Sequence, residues 1–278
     1  MLIDEFSYAS PDYSLPRNLL IRSIEMLSGQ PQLKRIYMDY RKDKLPHSVF
    51  WGEVVRRLNV DLQFAGNRPE SVPKTGPLVI VANHPYGVLD GIAICWLVAQ
   101  QRSDFKILIN SVLCRADEMA PHVLPVDFEP TEKALATNLA SRRAAREWLA
   151  QGGAVIIFPA GAISTTPKLL KKQAIDEPWA PLVGQLVRRA KAPVLPVFFD
   201  GQNSALFQWA SHLSYDLRAA LIFHEVHRRM NSTLRLAIGD VLPFDELEGH
   251  LPAANLAHYL QNHTLGLQSH LLSSADKM

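Results

Sequence analysis

A chain of 278 residues with 47% hydrophobic content can bury a large core, which predicts one substantial domain carrying a helical extension. Lys and Arg number 29 against 27 Asp and Glu, so the near-neutral balance leaves no basic footprint of the kind a nucleic-acid binder carries. The two cysteines, Cys95 and Cys114, sit in apolar stretches and read as buried free thiols of a reducing compartment, not as a disulfide framework.

The first thirty residues lack a basic segment followed by an apolar one, and no uncharged apolar run reaches about eighteen residues, so neither secretion nor a membrane span is expected. Residues 1–70 read as helical and connecting material: an apolar-periodic stretch at 16–28, a charged segment from Lys34 to Lys44, and an amphipathic stretch at 48–58. In the first of these Leu19, Leu20, Ile24 and Leu27 recur near helical spacing with Arg17 and Arg22 among them. That pattern fits an ordinary packed helix, and it also fits one lying on a membrane. From Pro77 short apolar runs alternate with amphipathic stretches, the α/β pattern. Strands are predicted at Leu78–Ala82, Phe105–Ile109, His122–Val126, Ala154–Phe158, Val194–Phe199 and Leu234–Ile238, and helices at about 91–101, 132–151, 179–191, 204–220 and 253–272. The unalternating run from Gly153 to Phe158 suits a central strand covered on both faces. Pro167 to Pro178, rich in lysine, reads as a solvated loop.

The segment carrying most chemical information runs from Val79 to Ile94, an apolar strand that enters a polar turn, Asn83-His84-Pro85-Tyr86-Gly87, and then an apolar helix. On a single helix, six residues would turn Asp90 about 240° away from His84, so the histidine must sit in the turn. Asp90 then falls at the helix start as an N-cap or first-turn acid, within reach of the imidazole. Such a carboxylate fixes ring and tautomer, and the free nitrogen takes a proton from an attacking nucleophile. Spacing alone equally admits an Asp90 that only caps and a His84 that only bonds the turn. The chain has no Gly-x-Ser-x-Gly elbow, so a covalent hydrolase lacks its usual signature.

Asn83-His84-Pro85-Tyr86-Gly87-Val88-Leu89-Asp90-Gly91 resembles the first motif of the glycerolipid, or lysophospholipid, acyltransferase family (PlsC-like). The family's usual spacing has four residues between His and Asp. The five found here resemble its hemolysin-like and amino-acid-lipid branch. Phe158-Pro159-Ala160-Gly161 resembles the family's Phe-Pro-x-Gly block, and Val194-Leu-Pro-Val197 its fourth block; together the three span roughly residues 75–240 in the family's order. The resemblance implies a mixed, largely parallel α/β sheet flanked by helices, with 1–70 as the N-terminal helical extension and 71–278 as the acyltransferase domain. It implies His84 and Asp90 as the catalytic pair, and Asn83, Pro85, Gly87, Gly91, Phe158, Pro159, Ala160, Gly161 and Ser164 around the substrates.

Where members that acylate glycerol phosphates commonly read Phe-Pro-Glu-Gly-Thr-Arg-Ser, this chain has Ala160 and Ile163 in place of the glutamate and the arginine. The charge-assisted contacts that suit a phosphate are therefore missing at this turn, which points to an acceptor without a glycerol-3-phosphate head, such as a lyso amino-acid lipid. The second block, around Val123 to Phe128, lacks its frequent arginine; the nearby Arg115 reads first as an ordinary surface residue and second as a substitute for it. His224 and His227, three apart, read as exposed helix histidines, and no metal site is expected. Arg188, Arg189 and Lys191, like Lys171 and Lys172, read as solvated faces, with contact to anionic lipid or to the phosphates of a coenzyme A donor as the second reading.

The resulting expectation is a cytoplasmic enzyme, peripheral on the inner face of the membrane, that moves a fatty acyl group from an acyl-CoA or acyl carrier protein thioester to the hydroxyl or amine of a lyso-lipid acceptor. Neither a cofactor nor a nucleic-acid partner is expected. Two alternatives stay open: an acyl-thioesterase using the same base on water, and a non-catalytic lipid-binding relative.

Overall fold

The structure, a computed structural model, describes residues 14–111, 116–168 and 171–275. Cys114 and Arg115 lie outside the described residues. The strands are β1 (Asp61–Gly66), β2 (Leu78–Ala82), β3 (Phe105–Asn110), β4 (Val123–Val126), β5 (Ala154–Ile157), β6 (Val194–Phe199) and β7 (Thr233–Ile238). Among the described residues they form one seven-stranded sheet in the order β1-β7-β6-β2-β5-β3-β4. β6, β2, β5, β3 and β4 run parallel, while β7 joins β6 antiparallel and takes β1 with it. This is the mixed, largely parallel sheet expected from the motifs.

Helices α1 (Leu15–Leu27), α2 (Gln30–Lys42) and α3 (Phe50–Leu58) precede the sheet. α4 (Val88–Ala99) connects β2 to β3, α5 (Glu132–Ala150) connects β4 to β5, and α6 (Leu182–Ala190) connects β5 to β6. α7 (Ala205–Leu213), α8 (Tyr215–Ala220) and α9 (Ile222–Arg228) lie between β6 and β7, and α10 (Phe244–Leu247), α11 (Ala253–Gly266) and α12 (Gln268–Ala275) follow. Every residue of β2 is fully buried, because its alternate side chains enter two separate cores. Leu78, Ile80 and Ala82 pack on the side of α3, α4 and α9, and Val79 and Val81 on the side of α5, α6 and α11. A strand buried on both faces has no polar alternation, which is why β2 and β5 read as unbroken apolar runs.

Several elements depart from the expected bounds. β1 lies in a stretch read as helical and connecting, and pairs parallel with β7 from Asp61 to Gly66. Its half-exposed edge position leaves little apolar alternation to detect. The helix expected at 91–101 starts earlier, at Val88, because Asp90 caps from inside the first turn. The stretch 204–220 is two helices, broken at Ser214, whose extended backbone and hydroxyl acceptor start α8. α11 and α12 likewise divide the single helix expected at 253–272.

His224 and His227 are half-buried rather than exposed. His227 Nε2 lies 2.9 Å from Gln32 Oε1 and ties α9 to α2. No cluster of three metal-ligating side chains occurs among the described residues. Cys95 is buried as expected, and burial pushes its thiol well up. Arg188, Arg189, Lys191, Lys171 and Lys172 are all exposed.

Candidate active site

β2 and β5 are adjacent and parallel, with Val81 opposite Ile157, so the chain leaves both at the same sheet edge. From there β2 connects toward β3 and β5 toward β6, in opposite directions along the sheet. Adjacent strands whose connections diverge leave a crevice beyond their carboxyl ends, where α/β sheets hold ligands. His84 stands two residues past β2 and Phe158 one past β5, and their rings stack at 4.0 Å between centroids with 26° between planes. The two motifs read separately along the chain are thus one site.

Asp90 is completely buried in the third residue of α4. Its Oδ2 accepts from the amides of Tyr86 at 2.8 Å and Gly87 at 2.9 Å, satisfying donors that a helix start leaves unpaired. The same oxygen lies 3.2 Å from His84 Nδ1, an ion-pair approach whose alignment falls short of a hydrogen bond. Asp90 is therefore both the cap and the histidine's neighbour, combining two roles that spacing had left as alternatives. Burial pushes its carboxyl above the ordinary carboxylate range, against the opposing pull of the nearby His84 and the two amides.

The turn between them is held from several sides. The Asn83 side chain clasps the end of β6, accepting from Phe199 N at 2.7 Å and donating to Phe199 O at 2.8 Å, and so extends the β2–β6 ladder by one side-chain pair. The Tyr86 hydroxyl donates to Asp200 O at 2.9 Å, and burial pushes it up to about 12. Arg229 lies 4.4 Å over the Tyr86 ring. Gly87 has φ +77°, and a Cβ there would fall 2.5 Å from Ile163 Cδ1, so glycine is required both by its backbone and by the packing of the second turn on the first.

A cavity of about 630 Å³ opens at His84, within the range of about 300–1,000 Å³ usual for small-ligand sites. Its lining includes Gly87 of the first turn and Phe158, Pro159 and Gly161 of the second, together with Arg142, Tyr215 and Arg218. Its interior runs between the sheet and the N-terminal helices, walled by Leu33 and Tyr37 of α2, Trp51 and Val54 of α3, and Gly91 and Cys95 of α4. Asn83, Pro85 and Asp90 are buried and Ala160 is partly covered, and none of the four is among the residues lining the cavity. Ser164 is buried too: its amide donates to His84 O at 2.8 Å, and its hydroxyl donates to Asp176 Oδ1.

Sequence reasoning passed over Asp176, Arg218 and Tyr215. Arg218, on α8, donates to Ile163 O at 2.7 Å and so brings a guanidinium to the turn where the motif has lost its own arginine. No local pattern ties α8 to that turn 55 residues away.

The chain matches the family model described as "Acyltransferase" over residues 35–266. Two bacterial relatives, each named lyso-glycine lipid O-acyltransferase, are 22% identical: that of Bacteroides thetaiotaomicron over 261 residues, 91% of this chain and 92% of the relative, and that of Phocaeicola vulgatus over 203 residues, 69% of each. The crystal structure of the 1-acyl-sn-glycerophosphate acyltransferase PlsC from Thermotoga maritima superposes with a TM-score of 0.52 at 16% identity, covering 91% of this chain and 96% of that one, which establishes a shared fold. With the motifs brought together at one sheet edge and the family model spanning most of its length, this chain belongs to the acyltransferase family and is an acyltransferase of PlsC-like fold.

Proposed function

We propose that this acyltransferase moves a fatty acyl group from an acyl thioester, carried by coenzyme A or acyl carrier protein, to a lyso-lipid acceptor without a glycerol-3-phosphate head. The observation that carries this reading is the position of His84, in the wall of a mainly apolar cavity and backed by the buried Asp90 carboxylate. Nδ1 faces Asp90, which leaves Nε2 for the acceptor. Nε2 takes the acceptor proton as its oxygen attacks the thioester carbonyl, and the carbon–sulfur bond breaks as the thiolate leaves and recovers that proton. Backbone amides of the two turns serve the transient oxyanion. No metal or redox cofactor takes part.

Both curated relatives are named for O-acylation of a lyso-glycine lipid. That favours a hydroxyl over an amine and an amino-acid lipid over a phosphate ester, in line with Ala160 and Ile163 in the second turn. The acyl chain lies along the cavity beneath α2 and α3.

No described helix is long and apolar enough to cross a membrane. The exposed faces of α1 and α7 are nevertheless apolar, with Leu15, Leu19 and Leu27 on the first and Leu206, Trp209 and Leu213 on the second. α8 packs against both, bound to α1 by the Arg17–Asp216 pair at 2.7 Å, and its half-exposed Tyr215 lines the cavity. These features support a peripheral position on a bilayer, with these faces turned toward the lipid.

The test is mass spectrometry of the lipids formed when the protein and its His84→Ala variant each receive an acyl thioester with lysophosphatidate or a lyso amino-acid lipid. A His84-dependent acylated amino-acid lipid is expected. Free fatty acid alone would make the protein a thioesterase, and tight lipid binding without turnover would make it a binding relative.

A further inference from the structure

His84 is gripped by two carboxylates, of which only Asp90 belongs to its motif. The other is Asp176, 9% exposed, in the loop leading to α6. Its Oδ1 accepts from the main-chain amide of His84 at 3.2 Å and from the Ser164 hydroxyl, and its Oδ2 accepts from the Trp179 indole at 3.1 Å. Ser164 closes the circuit, since its amide donates to His84 O at 2.8 Å. One carboxylate therefore joins the histidine's own main chain to the second motif's turn.

The loop that presents Asp176 is itself held on three sides. Thr165 and Ile175 exchange both backbone hydrogen bonds, at 3.1 and 3.0 Å. The Gln202 amide accepts from Ala174 N and donates to Lys172 O, each at 2.8 Å. Gln261 of α11 accepts from Trp179 N at 3.2 Å and donates to Glu177 O at 3.0 Å. A carboxylate clamped this way is pre-organised, and a reacting group tolerates little displacement: a shift of about 1 Å can cost on the order of a hundredfold in rate.

We propose that Asp176 is a positioning residue for acyl transfer: Asp90 sets the imidazole ring of His84, and Asp176 sets its main chain and fixes the Phe158–Ser164 turn against it. This rests on His84 being the base. Three donors converge on Asp176, and a carboxylate accepts at both oxygens where an amide accepts at only one. Asp176→Asn consequently turns an NH2 toward a hydrogen-bond donor and releases at least one of the three contacts.

The experiment measures kcat, KM for the acyl thioester and Tm for Asp176→Asn, Asp176→Glu, Ser164→Ala and His84→Ala in the full chain. Asp176→Asn is expected to lose at least about tenfold in kcat with KM held within about twofold, and Asp176→Glu to recover part of the loss. Wild-type kcat in Asp176→Asn beside an inactive His84→Ala would overturn the proposal while leaving the base in place. So would a loss shared equally by kcat, KM and Tm, which marks a merely structural contact. A fully active His84→Ala overturns the reading of the base and this proposal with it. If Asp176→Asn does not fold, Ser164→Ala decides: a kcat loss of about threefold or more at unchanged Tm upholds the role, and a smaller loss overturns it.

Discussion

At the scale of single residues, function is set against stability. Asp90 is buried completely, with its Oδ1 lacking any hydrogen-bond partner, and an ionised carboxylate in that position is costly. Because its folded carboxyl is held above the ordinary range, its contribution to stability is fully present below the unfolded value of about 3.9 and is lost as pH rises through the raised folded value. Asp90→Asn removes that penalty while keeping an oxygen for the Tyr86 and Gly87 amides. Its Tm at neutral pH should equal or exceed the wild type's, with a flatter pH dependence above about pH 4, while kcat falls by about 10²–10⁴. Thermal melts across pH beside initial rates check both halves, and a Tm clearly below wild type at neutral pH would show that the charge stabilises the fold. The acyl-transfer reading makes its own demand here: His84→Ala should lose about 10²–10⁴ in kcat at unchanged Tm.

Elements place these residues through close approach. Gly87 combines φ +77° with ψ −115°, a glycine-favoured conformation, and Ile163 is seated where its Cβ would be, so Gly87→Ala should cost about 1–3 kcal/mol from the backbone alone and disturb the packing of the two turns as well. Reduced activity at modestly lowered Tm is the expected result, and wild-type kcat would remove the turn-on-turn packing from the account. Gly184 of α6 faces the backbone of α11, and an added Cβ would stand 2.2 Å from Ala253 O. Gly184→Ala pushes two packed helices apart and is expected to destabilise by about 1–3 kcal/mol, measurable by denaturant unfolding. The uninterrupted apolar runs of β2 and β5 made those strands legible. The same periodicity said little about β1 on the sheet edge or about the break at Ser214, where side-chain capping overrides an otherwise helical stretch.

Across the whole molecule, the exposed apolar faces of α1 and α7 belong to helices that both pack on α8, which contributes Tyr215 to the cavity lining. Replacing Leu206, Trp209 and Leu213 together by serine should weaken vesicle sedimentation by about tenfold or more, given roughly 25 cal/mol per Å² of apolar surface withdrawn from the bilayer. Activity on detergent-dispersed substrate should persist. Unchanged sedimentation would remove the α7 face from the proposed membrane contact. The N-terminal helices also have a second face: α2 and α3 wall the cavity, α3 packing on α4 and α2 on α9, so the segment before the sheet contributes to the lining of the candidate site.

The sequence by itself determined the α/β alternation, the central strands and the His84–Asp90 turn, because each depends on residues within a few positions of one another: burial on two faces, a turn that needs glycine, an acid at a helix start. It also identified the second turn at Phe158 and the loss of its arginine. Only the tertiary structure decided that the two turns touch, that Asn83 spends both side-chain groups on β6, that Arg218 arrives at Ile163, and that Asp176 holds His84 from 92 residues away. Those contacts arise where parallel strands deliver distant segments to one edge, and local periodicity carries no record of which segments meet there.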